Sequence, residues 1–268
     1  RSLDGGATWS LEEPRLQQPA DGTPDARASG LESPLEFSRP GFALKLSHDG
    51  LAAGARSWFH FSDDLGTTWQ GPCWFPSLGL PGIAARTDYM PLQDGSYLFF
   101  LTAAKRNGAE GHAFCARTTD GARTFEFRSW IGPEPAGWTI MPASQRLPDG
   151  RILVALRCRD GNPDSKTARH WIDLYLSTDE GQSWEYSGTP VRDTGVGGNP
   201  PTLNLLADGR LVITYGYRRA PFGMRAAVST DQGSTWDTDI VLRADAGNHD
   251  IGYPRTLVRP DGQLVTVY

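Results

Sequence analysis

The 268-residue chain carries 26 Lys and Arg against 31 Asp and Glu, a formal net charge of −5, with 31 Gly and 20 Pro. That length suits one large all-β domain, and a chain this rich in Gly and Pro, without long apolar stretches of 3.6-residue period, is not a helical protein. No run of 18 apolar residues exists to span a membrane, and the scattered Lys and Arg leave no footprint for nucleic acid.

The first element in the chain is Ser2-Leu3-Asp4-Gly5-Gly6-Ala7-Thr8-Trp9. The same pattern (Ser, any, Asp, any, Gly, any, Thr or Ser, Trp) returns at Ser62–Trp69, in a worn form at Thr118–Phe125, and cleanly at Ser177–Trp184 and Ser229–Trp236. A spacing of this order marks an array of one supersecondary unit. Asp followed two places later by Gly is turn chemistry. The carboxylate takes nearby backbone N–H groups and Gly supplies a positive φ. The Trp at the start of the next strand offers a large apolar face to cover the hairpin. Each copy therefore reads as a clip that closes a β-hairpin, its Asp folding the turn and catalysing nothing.

A second repeat runs in phase. Asp49-Gly50, Asp94-Gly95, Asp149-Gly150, Asp208-Gly209 and Asp261-Gly262 follow short apolar runs. Four of them precede clear strands at 97–101, 152–156, 211–215 and 264–268. Asp-Gly between apolar runs is a strong hairpin signal. Each period then reads as strand, Asp-Gly turn, strand, loop, strand, clip, strand. Four antiparallel strands per period make a propeller blade. The expectation is a single β-propeller domain over 1–268. Its six blades are five with Asp-Gly turns and one whose clip opens the chain, the first and last being incomplete. The Pro-, Gly- and Ser-rich stretch 20–40 reads as a loop between blades.

Three cysteines, Cys73, Cys115 and Cys158, stand far apart without metal-ligand spacing. An odd number excludes a fully paired disulfide framework, so they are expected as buried small hydrophobes. No His, Asp and Glu set has metal-ligand spacing, and no Gly-rich phosphate loop opens a helix. In a propeller the segments that lead into the inner strands gather at one mouth. Those segments hold Arg86 and Asp88, Trp138 to Met141, Gly198-Asn199-Pro200, and His249-Asp250-Ile251-Gly252-Tyr253-Pro254-Arg255. After the second strands come Arg157-Cys158-Arg159-Asp160 and Tyr217-Arg218-Arg219. Arginine forks grip carboxylates bidentately and keep their charge. Arg86, Arg157 and Arg255 at one mouth therefore suggest an anionic substrate, with Asp88 beside them.

The clips are similar to the Asp-box, or BNR repeat, of the sialidase (neuraminidase) superfamily, and this resemblance covers almost the whole chain. Three further stretches resemble sialidase active-site segments. Gly252-Tyr253-Pro254-Arg255, leading to the Asp261-Gly262 turn, resembles the segment of the catalytic Tyr nucleophile, which falls on Tyr253. Pro221-Phe222-Gly223-Met224-Arg225 resembles the segment of the third arginine of the substrate-carboxylate triad, which falls on Arg225. Ile152–Arg157 resembles the strand ending in the second triad arginine, Arg157. One departure stands out: where sialidases carry a Glu to take the Tyr proton, this chain has Met141-Pro142-Ala143-Ser144-Gln145.

The resemblance implies retaining hydrolysis of a terminal anionic sugar with a Tyr nucleophile. The phenol needs a base. Asp250, His249 or a residue outside this chain would supply it. No cofactor and no metal is implied. The expected partner is an anionic oligosaccharide or glycoconjugate, and the expected setting is secreted or periplasmic. Two other classes fit the same residues. One is a polysaccharide lyase, in which Arg neutralises a uronate and Tyr or His abstracts the adjacent proton. The other is a propeller that binds sugar without chemistry.

Overall fold

In the computed structural model of the protein, the clips close on their own side chains. In the copy at Ser62, the Ser62 hydroxyl donates to Asp64 Oδ1 at 2.7 Å and accepts from the Gly66 N–H at 2.9 Å. Asp64 then accepts from the Thr68 N–H at 2.8 Å and the Thr68 hydroxyl at 2.7 Å. The Trp69 indole N–H donates back to the Gly66 carbonyl at 3.0 Å. The copy at Ser229 repeats this set. The Trp thus caps its own turn; Trp9 is 55 % exposed and covers no core. In the worn copy Phe125 cannot make the indole bond. Its ring is instead buried against Phe75 and Phe99, at centroid distances of 4.5 and 5.1 Å.

The structure describes every residue except Arg1, Leu3, 12–15, Asp21, Thr23, Pro24, Pro163 and Ser165. One position of the opening clip, Leu3, and part of the loop expected over 20–40 therefore lie outside the described residues. Among the described residues there is no helix, and the strands form antiparallel sheets in two compact units.

One unit is Leu11–Trp130. Its first sheet has three strands, β1 (Ala43–His48), β2 (Ser57–Ser62) and β3 (Gln70–Phe75). Its second is a four-stranded meander, β4 (Tyr89–Pro91), β5 (Tyr97–Ala104), β6 (Glu110–Thr118) and β7 (Glu126–Trp130). Phe59, Phe75, Phe99, Leu101 and Phe114 fill its core, each almost fully buried. Apolar residues contributed by both sheets bury together here, which is the main favourable term in such folding.

The other unit combines Ile131–Tyr268 with Arg1–Ser10. It contains the meander β8 (Trp138–Arg146), β9 (Ile152–Arg159), β10 (His170–Ser177) and β11 (Glu185–Val191). A second meander follows: β12 (Thr202–Leu205), β13 (Leu211–Tyr217), β14 (Gly223–Ser229) and β15 (Asp237–Arg243). A two-stranded sheet, β16 (Arg255–Val258) and β17 (Leu264–Val267), completes it. Leu153, Ile172, Leu174, Leu211, Ile213 and Tyr215 pack together between the two meanders. A clip rests on the neighbouring sheet in two places. A methyl built on Gly233 would lie 3.4 to 3.5 Å from Leu174 and Leu153, and one on Gly6 would lie 3.0 Å from Val265 of β17.

Four Asp-Gly pairs sit in the expected hairpins. The Gly N–H bonds back three residues in each, as in Gly150 to Leu147 at 3.0 Å and Gly209 to Leu206 at 3.0 Å. Asp49-Gly50 differs. It lies between β1 and the clip-bearing strand β2, where Asp49 accepts from the Arg56 N–H at 2.7 Å and from Arg56 Nε at 2.8 Å. The dipeptide signals a turn but does not say which turn of the period it makes. Of the cysteines, Cys115 and Cys158 are buried and Cys73 is half-buried, all three as free thiols. Burial pushes the Cys158 thiol up, as the neighbouring Asp173 also does, which suits a packing residue.

Candidate functional site

Strand β9 reads Ile-Leu-Val-Ala-Leu-Arg-Cys-Arg and is buried almost throughout. Arg157 near its end is 7 % exposed. Its guanidinium carbon lies 4.8 Å from the Trp138 ring and 5.8 Å from the Tyr253 ring. It donates to Met141 Sδ at 3.2 Å and to the Gly197 carbonyl. Met141 reaches it because β8 slips register between Ile140 and Ala143, with Met141 at φ 53°. Such a bulge re-aims a side chain. The resemblance would put a carboxylate near this place; the structure puts a thioether there, a weak acceptor that takes no proton.

Tyr253 is 40 % exposed and has a second guanidinium beside it. The Arg218 carbon also lies 5.8 Å from its ring. Arg218 follows β13, is 9 % exposed, and donates to Asp250 Oδ1 at 3.2 Å. Its backbone is fixed by the segment 193–198: Arg218 N–H donates to Thr194 at 2.9 Å, and Val196 N–H returns to Arg218 at 3.2 Å. Asn199 is fully buried and holds the Tyr253 segment directly. Its amide donates to the Gly252 carbonyl at 2.8 Å, and its oxygen accepts the Gly216 N–H at 3.4 Å.

His170 lies under this cluster, buried, its ring centroid 5.7 Å from that of Trp138. Burial, followed by the Arg157 and Arg159 charges, lowers its pKa to about 4. It is therefore neutral at pH 5 to 7 and adds no third positive charge beside the arginines.

The structure thus brings Tyr253, Asp250 and Arg157 of the expected set into one cluster. His249 is exposed on the loop before Asp250, and Arg255 is exposed on β16. Arg225 requires a correction: the structure does not group it with Arg157. It sits on β14 with its guanidinium 3.4 Å from the centre of the Tyr217 ring, and it donates to Asp239 at 3.0 Å. Asp239 also accepts from the Tyr215 hydroxyl at 3.2 Å. Strand alternation turns Arg225 to the partner that faces it, and Asp239 captures it there. The second arginine at Tyr253 is Arg218. Arg86 and Asp88 belong to the other unit, both half-buried at the entry to β4. Arg86 lies near enough to His48 to help burial push that imidazole down, and the Asp88 carbonyl accepts from Phe100 N–H at 3.0 Å.

Sequence reasoning noted Arg218, Trp138, Met141 and Asn199 only as members of mouth segments. The signal that would have raised Arg218 is its place just beyond β13, a strand that follows an Asp-Gly turn as β9 does, where the matching residue of β9 is its last, Arg159. Among the described residues no group of three or more His, Cys, Asp and Glu side chains could hold a metal ion, and no helix is long and apolar enough to cross a membrane.

Comparison by fold finds solved structures of similar architecture at low sequence identity. It is similar to a protein of unknown function from Dyadobacter fermentans, with TM-score 0.63 and 22% identity over 80% of this chain and 64% of that one. It is similar to the Hadza microbial sialidase Hz136, with TM-score 0.61 and 16% identity over 84% of this chain and 50% of that one. A third likeness is to an endo-arabinase from Bacteroides thetaiotaomicron, with TM-score 0.58 and 14% identity over 91% of this chain and 92% of that one. The chain therefore spans less than two-thirds of the length of the first two. At such identities the likeness is one of fold. No protein-family model matches the chain, and no curated protein matches it by sequence.

Proposed function

We propose that this chain is part of a glycoside hydrolase that removes a terminal anionic sugar, of the sialic acid type, at Tyr253. The observation that carries the reading is the placement of two largely buried guanidiniums, Arg157 and Arg218, at equal distance from one accessible Tyr ring. Two fixed positive charges in a partly dry site favour a carboxylate. A neutral phenol can approach an anomeric carbon that bears a carboxylate, where a carboxylate nucleophile would be repelled. In this reading Tyr253 attacks the anomeric carbon and the glycosidic bond breaks. The leaving oxygen takes a proton from an acid, and water then releases the sugar from the Tyr. Asp250 is the described carboxylate next to this centre, and its bond to Arg218 would orient it to receive the phenol proton.

The finer reading of the fold is a six-bladed propeller. Its support is the way the clip at Ser2 rests on β17, as the clip at Ser229 rests on the sheet before its own. The sheet of β16 and β17 and the clip at Ser2 would then be neighbours in a closed ring of blades.

The test is a turnover assay of the full-length protein on 3′-sialyllactose and on a uronate-containing oligosaccharide. Released sialic acid, lost in Tyr253→Phe at unchanged melting temperature, is the expected result. Full turnover in Tyr253→Phe overturns the mechanism. An unsaturated product, lighter by one water, would assign elimination on a uronate instead.

A further inference from the structure

Away from Tyr253, the edge strand β11 borders two adjoining cavities of about 500 and 430 Å³. Both are within the range of small-molecule sites. Gly188, Thr189 and Arg192 line both, so they form one groove. One end carries Tyr217, Arg225, Trp236 and Asp239. The other carries Trp171 and Tyr186. We propose that this groove is a second binding site, for a neutral oligosaccharide, separate from the Tyr253 centre.

Trp171, Tyr186 and Trp236 along one groove offer flat apolar faces to the C–H faces of sugar rings, while Arg225 covers one face of Tyr217. Tyr186 is 59 % exposed yet held in place, because its hydroxyl meets Thr189 Oγ1 at 2.7 Å and Thr189 donates to Asp173 at 2.6 Å. A ring fixed before binding loses little freedom on binding. Beside the aromatic groups the lining holds hydroxyls and a guanidinium suited to sugar hydroxyls, Thr238 and Arg192 among them.

The lining charges, Arg192 apart, are already paired, Arg169 with Asp160 at 3.2 Å among them, which favours a neutral ligand whose hydroxyls Arg192 can also serve. Arg225 and Asp239 face each other at 3.0 Å, and Asp193 lies 3.8 Å from Arg219. An anion would have to displace Asp239 from Arg225, and a cation would have to displace Arg225 from Asp239. The largely buried Arg225 would lose its partner to a cation, and an anion would have to compete with Asp239 for it. Hydroxyls can join the pair without breaking it. The groove also runs along two sheet edges, β11 and β15, which could in principle recruit a peptide strand. Both edges are interrupted, β11 by Gly188 at φ 127° and β15 by Asp239 at φ 61°. A bulge breaks the ladder that an added strand needs, which favours a glycan over a peptide.

The experiment is saturation-transfer NMR on the full chain with lactose, cellobiose and arabinobiose as probes. At least one should show transfer. Tyr186→Ala should weaken its apparent Kd about fivefold or more, and Thr238→Trp, which fills the groove from an exposed position, should abolish it. The double variant Arg157→Ala/Tyr253→Phe should bind it as the unaltered chain does. The proposal is overturned if no probe shows transfer, if both groove variants bind unchanged, or if the double variant loses the signal. This outcome is independent of turnover at Tyr253.

Discussion

Asn199→Ala isolates what holds the Tyr253 segment. Asn199 is fully buried and makes a short bond to the Gly252 carbonyl, 2.8 Å, and a long one to the Gly216 N–H, 3.4 Å. Truncation strands one well-bonded acceptor and one weakly bonded donor. A buried polar group left without its partner costs about 1–3 kcal/mol, so with the long bond counted lightly the loss is about 2 kcal/mol. For a chain of this size that lowers the melting temperature by roughly 4–8 °C. Asn199→Asp should be worse at neutral pH, because its carboxylate would face the Gly252 carbonyl with no proton to donate. Burial raises the pKa of such a carboxyl. Its deficit is therefore present above that pKa and shrinks as acid restores a donor. Thermal melts of the two variants at neutral and mildly acidic pH make the measurement, with kcat and KM recorded alongside. A melting temperature within one degree of the unaltered chain for Asn199→Ala, at about the precision of the method, would refute the reasoning.

Arg157→Ala and Arg218→Ala should each weaken binding of free N-acetylneuraminic acid by about 2–5 kcal/mol. Arg225→Ala should leave it within about 0.5 kcal/mol; calorimetric titration distinguishes the two cases, and an equal loss in Arg225→Ala would restore that residue to the anion site. Gly216→Ala would bring a methyl to 2.7 Å from Ile251 and 2.8 Å from the Asn199 side chain, so it should destabilise by about 1–3 kcal/mol, measured by denaturant midpoint. The clips give a pH dependence. Hydrogen bonds, first the one from Thr235, hold Asp231 down at about 2, below its ordinary 3.8. A carboxylate depressed in the folded state stabilises above its unfolded pKa and loses that contribution as pH falls through the folded one. The difference in melting temperature between the unaltered chain and Asp231→Asn should therefore be constant above about pH 5 and close between about pH 4 and 2; a difference that persists at the acid end would show that the charge is not the cause.

The strands and hairpins were legible because their signals are local. Asp-Gly turns and the eight-residue clips act within the segment that carries them, and β5, β9, β13 and β17 begin where the turns placed them. Local chemistry also misled where it was incomplete. The clips need two successive left-handed residues, and the first is Leu65 at φ 60°, Glu180 at φ 55° or Gln232 at φ 59°, with Gly only at the second in those copies. The side-chain bonds of Ser and Asp hold that geometry, and a reading by glycine alone passes over it. The site was half legible. The pattern pointed to Arg157 and Tyr253, which the structure brings within 5.8 Å, whereas the choice of Arg218 over Arg225 as their neighbour depends on which face of a strand meets Asp239. That choice is set by partners 14 residues from Arg225 and 32 residues from Arg218.

The Ser or Thr and Asp side chains that shape each clip bond within its eight residues, while most residue contacts of the chain join positions far apart in sequence. Closing so short a loop costs little chain entropy, whereas sheet topologies dominated by distant pairing fold slowly. The repeat therefore works in time as well as in space. A clip can form before its sheet exists, and it then fixes the register of the two strands on either side of it. Substitutions at a clip Ser or Asp that cost measurable stability should accordingly slow folding more than they speed unfolding, which paired folding and unfolding rates would show.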